Sequence, residues 1–174
     1  MIIASTVFLL LFCVLSTIDG LYFHLYKYKL HTSNRTLEEH LTHSIRALLF
    51  GPIIYLLYAV NAAGYFLWLA IFLVVADLAV ETWDVLVERK SRAHLGGLST
   101  AEYWVHINAT TLRVAAIALA LAGKPLSAWK LQNLPFMDPY PRVVVLVALV
   151  LIACSVLTAI QHFWYLRRFR WNFK

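Results

Sequence analysis

The stretch "GYFLWLAIFLVVADLAVETWDVLVERK", residues 64–90, reads as one uninterrupted helix whose first half is apolar enough for a bilayer and whose second half carries Asp77, Glu81, Asp84 and Glu88. These carboxylates follow one another at steps of four, three and four residues. At about 100° per residue, such steps keep all four within an arc of about 60°, a stripe rising about 16 Å along the helix. Acidic side chains on a membrane helix are costly, and they persist where they face a bundle interior and find partners. The fold is therefore expected to be a helical membrane bundle with a polar interior at one end.

The rest of the chain agrees with that reading. Of its 174 residues, 61% are hydrophobic and only 14% charged, against about a quarter charged in soluble domains. Apolar runs of spanning length occur at 2–18, 45–60, 65–80, 105–122 and 143–160. Extended through their amphipathic flanks, they predict five transmembrane helices at about 2–31, 36–60, 64–91, 99–122 and 142–169. The expected fold class is all-α, a polytopic bundle forming a single integral membrane domain over residues 1–174. The first run has no basic residue before it and no clear small-residue cleavage site after it, so it is read as a retained span and not as a signal peptide.

Basic residues set the expected orientation. Lys27, Lys29, Arg35, Arg46, Arg89, Lys90, Arg92, Arg167, Arg168, Arg170 and Lys174 fall on one side, whereas Lys124, Lys130 and Arg142 fall on the other. The positive-inside rule then puts the amino terminus outside and the carboxyl terminus in the cytoplasm of an inner or plasma membrane. Most of the net charge of +6 is a topology signal. The tail "YLRRFRWNFK" alternates arginines with aromatics, as interfacial anchors do, so the lipid bilayer is the expected partner and nucleic acid is not.

The segment 123–142 holds four of the five prolines together with Trp129 and is expected to lie irregularly across the outer interface. Cys13 and Cys154 sit within apolar runs without metal spacing and read as small packing residues. The Asn108-Ala109-Thr110 glycosylation match falls inside a helix, where it has no meaning. No glycine-rich phosphate loop and no nucleophile with an adjacent base stand out.

One internal echo carries chemistry. "TLEEHLTH" (36–43) and "STAEYWVH" (99–106) both fit [ST]-x-x-E-x-x-x-H. Thr36 with Glu39, and Ser99 with Glu102, are expected to form capping boxes. Capping does not require His43 or His106, which lie one turn further in on the same face as their glutamates. All seven histidines and every acid except Asp138 fall in the cytoplasmic half of the expected topology. His31, His40, His94 and Glu38 are near connections, where solvation is expected. His24, His43, Asp84, His106 and His162 each lie about seven residues, or about 10 Å, inside a helix end. Glu39, Glu88 and Glu102 form a shallower layer, and Asp19, Glu81 and Asp77 a deeper one.

Divalent cations would relieve this crowding of like charges. The candidate metal ligands are Asp19, His24, Glu39, His43, Asp77, Glu81, Asp84, Glu102, His106 and His162, with Glu88 as the candidate catalytic base. The pattern is similar to the carboxylate-bridged dinuclear sites of ferritin-like four-helix bundles, with Glu-x-x-x-His here in place of Glu-x-x-His. Nitrogen and oxygen donors without thiolate suit iron, manganese or zinc, and two or more ions are expected. The function this implies is a metal-dependent membrane enzyme, an oxidoreductase or a hydrolase, acting on a lipid or other apolar substrate. Three alternatives stand beside it. They are a metal-ion or proton transporter or sensor, a metal-free salt-bridge network in which Lys27, Arg46, Arg89 and Arg113 answer the acids, and haem ligation by two histidines.

Overall fold

A computed structural model describes residues 1–132 and 134–171. Five helices are long and apolar enough to cross a membrane. α1 covers Ile2–Thr17 and continues as a π-helical segment, Ile18–Lys27; α2 covers Leu37–Ile54 and continues as a π-turn, Tyr55–Ala59; α3 is Gly64–Ser91, α4 Thr100–Ala122 and α5 Arg142–Trp171. Among the described residues the only β-type pairing outside this helical frame is one bridge between Ala62 and Phe136. α1 packs mainly on α4 and α2 on α3 and α5, while α1 and α5 pack weakly against each other.

Helix positions agree with hydropathy except at the end of the first. The expected helix over 2–31 stops at Lys27, because Lys29 adopts a left-handed conformation (φ 50°) and turns the chain. The preceding ten residues are wound as a π-helix, marked by the Tyr28 amide donating to the Phe23 carbonyl five residues back at 3.0 Å. In α2, Pro52 lacks an amide hydrogen to donate, and the helix opens into its own π-turn three residues later.

Two kinds of packing divide the molecule along its length. One half has a dry core of Leu9, Ile53, Leu57, Leu67, Ala116 and Val144, all at most 1% exposed. The small Ala116 and Ala120 face lets α1 approach α4 closely, and Ser5 uses the proximity, donating to the Ala116 carbonyl at 2.7 Å and meeting the Tyr58 hydroxyl at 2.7 Å. At the tip of this half the segment expected to be irregular is tied down. Buried Lys124 donates to Asn61 Oδ1 at 2.6 Å and to the Ala62 carbonyl at 2.8 Å, and Asn61 Nδ2 donates to the Asp138 carbonyl at 2.6 Å. Burial pushes the Lys124 ammonium down to about 8. The other half of the bundle is filled with ionisable groups.

The two expected capping boxes form only in part. Ser99 Oγ accepts from the Glu102 amide at 3.3 Å, as expected, but the Glu102 side chain does not reach back. Thr36 makes no cap; its hydroxyl donates to the carbonyls of Leu30 and Ser33, which fixes the turn between α1 and α2. Both glutamates are instead drawn inward.

Candidate metal centre

The acidic stripe of α3 points into the bundle, and its four members meet different partners. At the deepest level Asp77 and Glu81 are held by guanidinium groups. Arg113 from α4 pairs with both, Arg46 from α2 lies 3.5 Å from Asp77 and 3.0 Å from Glu81, and Thr110 donates to Glu81 at 2.8 Å. Guanidinium is permanently charged and forks naturally onto carboxylates, so two cations neutralise two anions here in a region where unpaired charge would be untenable.

At the end of the bundle Glu39 and Glu102, both fully buried, converge on one residue. Arg92 approaches Glu39 at 2.9 Å and Glu102 at 2.8 Å, is itself 1% exposed, and stacks over the Tyr28 ring at 4.9 Å. Ser91 adds a hydrogen bond to Glu39. Sequence reasoning counted Arg92 only among the basic residues that set the orientation and missed this role. The signal available was its position one residue past a helix whose stripe already pointed inward.

Between these layers lies the part of the cluster that guanidinium does not dominate. His106 Nε2 is 3.1 Å from Asp19 and 3.7 Å from Glu88; His24 Nε2 is 3.9 Å from both Asp19 and Glu39; His43 Nδ1 is 3.7 Å from Asp84. The His24 ring is 4.7 Å from that of His43 and 5.9 Å from that of His106. Asp84 also accepts a hydrogen bond from Thr42 and has Arg46 at 3.7 Å. Asp19 and His24 come together because of the π-helical winding. Five residues apart on an α-helix they would point about 140° away from each other, whereas i→i+5 winding stacks them one turn apart.

Seven carboxylates, Asp19, Glu39, Asp77, Glu81, Asp84, Glu88 and Glu102, thus face three arginines, Arg46, Arg92 and Arg113. The donor chemistry fits a divalent cation. Asp19, His24 and His106 form one group, and His24, Glu39 and His43 a second, each offering donor atoms within 4.8 Å of one another. The shorter separations bracket the ~3.4 Å expected between ligand atoms around a tetrahedral ion with bonds of ~2.1 Å. Asp19 Oδ1, His24 Nε2 and His43 Nε2 are buried without a hydrogen-bond partner among the described residues. His43 turns its other nitrogen toward Asp84, the carboxylate–histidine arrangement that orients metal ligands.

The remaining expected ligands are placed elsewhere. Asp77 and Glu81 sit in the arginine layer and Glu102 on Arg92. His162 lies with His40, their rings stacked at 4.6 Å, and its Nδ1 is 3.2 Å from Ser44 Oγ. His40, expected to be solvated, is 6% exposed. Glu88 lies near His106 Nε2, the nitrogen that also faces Asp19, and does not line the adjoining cavity.

That cavity, of about 450 Å3, runs beside the histidines. Asp19, His24, His43, His106, Arg46 and Arg113 line one side, and Phe12, Phe50, Leu151, Ala47 and both cysteines line the other. Cys13 and Cys154, expected to be packing residues, are therefore wall residues of a cavity. Comparison of the chain with protein-family models, with curated proteins and with solved structures finds no match.

Proposed function

We propose that this protein is a membrane-embedded metalloenzyme in which one of two overlapping groups sharing His24, Asp19 with His106 or Glu39 with His43, holds a divalent ion at the end of the bundle expected to face the cytoplasm. The observation that carries the reading is that Asp19 Oδ1, His24 Nε2 and His43 Nε2, three buried donor atoms without hydrogen-bond partners, line one cavity. Buried polar atoms are nearly always satisfied, and a cation held by either ligand group would engage the unpartnered atoms of that group.

The expectation of two or more ions narrows to one well-liganded position. The two ligand groups share His24, and its Nε2, the atom near both Asp19 and Glu39, has a single lone pair. Asp84 orients His43 through the nitrogen that faces away from the group. Nitrogen and oxygen donors suit iron, manganese or zinc. With iron the ion would support oxygen-dependent oxidation, and with zinc hydrolysis by activated water. The cavity beside it gives a lipid or other apolar substrate a place to sit.

Elemental analysis of the purified protein tests this directly. The expected result is about one iron, manganese or zinc per chain, lost in His24→Ala, lost in His106→Ala or His43→Ala according to which group holds it, and retained in His162→Ala. Folded wild-type protein without such a metal would overturn the reading and favour a network of protonated histidines and carboxylates.

A further inference from the structure

The cavity beside the histidines has a definite chemical character. Its volume of about 450 Å3 lies in the lower part of the roughly 300–1,000 Å3 range of small-molecule pockets, room for one extended chain. Its walls come from α1 with its π-helical continuation, α2, α4 and α5, and the two walls that pack weakly against each other, α1 and α5, both present large apolar side chains outward. An apolar molecule in the bilayer therefore needs to part only one weak helix contact to enter. Phe12, Phe50 and Leu151 make an apolar floor, and Asp19, His24, His43 and His106 a polar end.

Polarity at that end selects the head of the occupant. Among the described residues the cations on the wall are Arg46 and Arg113. Both are committed, Arg46 to Asp77, Glu81 and Asp84 and Arg113 to Asp77 and Glu81. A phosphate or carboxylate head would meet the carboxylates of Asp19 and Asp77 on the wall, with both wall arginines already ion-paired. Several wall hydroxyls are committed as donors as well. Thr17 donates to the Cys13 carbonyl at 2.7 Å and Ser155 to the Ala47 carbonyl at 2.6 Å. Gln161 uses one of its two amide hydrogens on Tyr165 at 3.3 Å. Thr17 and Ser155 still offer hydroxyl oxygens and Gln161 an amide oxygen as acceptors.

We infer that the cavity binds a single-chain lipid with an uncharged, hydrogen-bond-donating head, a long-chain alcohol in its simplest form, with the hydroxyl directed at the histidine cluster and the chain along Phe12, Phe50 and Leu151. The inference rests on the proposed metalloenzyme for what happens at the polar end, but the selection by charge and donor count does not need the ion.

The test uses the full chain in lipid nanodiscs and a long-chain alcohol bearing a diazirine in its chain. Photolabelling is expected to saturate and to map to segments containing Phe12, Phe50 and Leu151. Unlabelled long-chain alcohol should compete about tenfold better than the fatty acid or the lysophosphatidylcholine of equal chain length. Cys154→Trp and Cys13→Trp fill the cavity from α5 and α1 and should each cut saturable labelling at least fivefold while leaving metal content unchanged. Unsaturable labelling, equal competition by the charged lipids, or full labelling of both folded variants would overturn the inference. If both variants misfold, the competition series on the wild-type chain still decides. Metal content measured on the same samples separates the two claims. Selective labelling of metal-free protein sinks the metalloenzyme and leaves the lipid site, whereas metal-loaded protein without selective labelling does the reverse.

Discussion

Two layers of the same bundle use the same acidic stripe of α3 differently. Asp77 and Glu81 meet Arg113 and Arg46, whereas Asp84 and Glu88, one to three turns along the helix, face His43 and His106, with Asp19 joining from the first helix. Guanidinium remains charged at any pH a protein survives, so the deep layer is a fixed, neutralised brace. Imidazole can be neutral, protonated or metal-bound, so the neighbouring layer can change state. Carboxylates in sequence at helical spacing thus do not define a function. The partner supplied by the facing helix decides whether they brace the fold or serve chemistry.

The contrast can be broken most forcefully in the brace. Arg113→Met leaves Asp77 and Glu81 short of a cation in the bundle interior and should destabilise the protein by about 3–5 kcal/mol, read as loss of the monodisperse peak and of the thermal transition in detergent. Adding Asp77→Asn should recover a good part of it. Arg92→Met, which strands Glu39 and Glu102, should cost about 3–4 kcal/mol, and Glu102→Gln should relieve it. Both are structural effects, expected whether or not metal is present.

The histidine layer should behave otherwise. Chelation of the wild-type protein is expected to remove about 3 kcal/mol of stability, the linkage expected when free metal stands about a hundredfold above its dissociation constant. The His24→Ala/His43→Ala double variant should unfold at the same temperature with and without chelator. An identical response of wild type and double variant would place the histidines in the brace category and erase the contrast.

The smallest effect is expected far from both layers, at Lys124. Its folded-state value of about 8 lies below the ordinary lysine value near 10.5, so the folded protein gives up this proton before the unfolded chain does. Below about pH 8 both states hold it and the contribution is flat. From about 8 to 10.5 the unfolded state binds more protons, and stability should rise with pH, by about 1–3 kcal/mol. Lys124→Gln should flatten that slope in unfolding curves taken across the window. A slope unchanged by the substitution would assign the titration to another group.

Much of the layered organisation was legible beforehand. The stripe from Asp77 to Glu88 faces inward as its spacing requires, and His24, His43 and His106 lie close together, as their similar depths indicated. What escaped the sequence were partners. Glu39 and Arg92 are 53 positions apart, and nothing local to either announces the other. The Thr36 and Glu39 side chains fit a capping box by spacing, but tertiary partners for both outcompete a cap worth about 1 kcal/mol. Asp19 and His24, five residues apart, share a face only through π-helical winding, which the spacing of the sequence does not announce.

By itself the sequence determined five apolar helices, their order and near-final ends, and the concentration of ionisable groups at one end of the bundle. Hydropathy and periodicity are properties of a segment alone, and the requirement that backbone polar groups be satisfied inside lipid leaves such segments little besides helix. Tertiary structure decided which carboxylates met arginine and which met imidazole, where the π-helical winding brought Asp19 beside His24, and that α1 and α5 leave a cavity between them. These are pair properties, set by how helices cross and how far side chains reach, and no single segment encodes them.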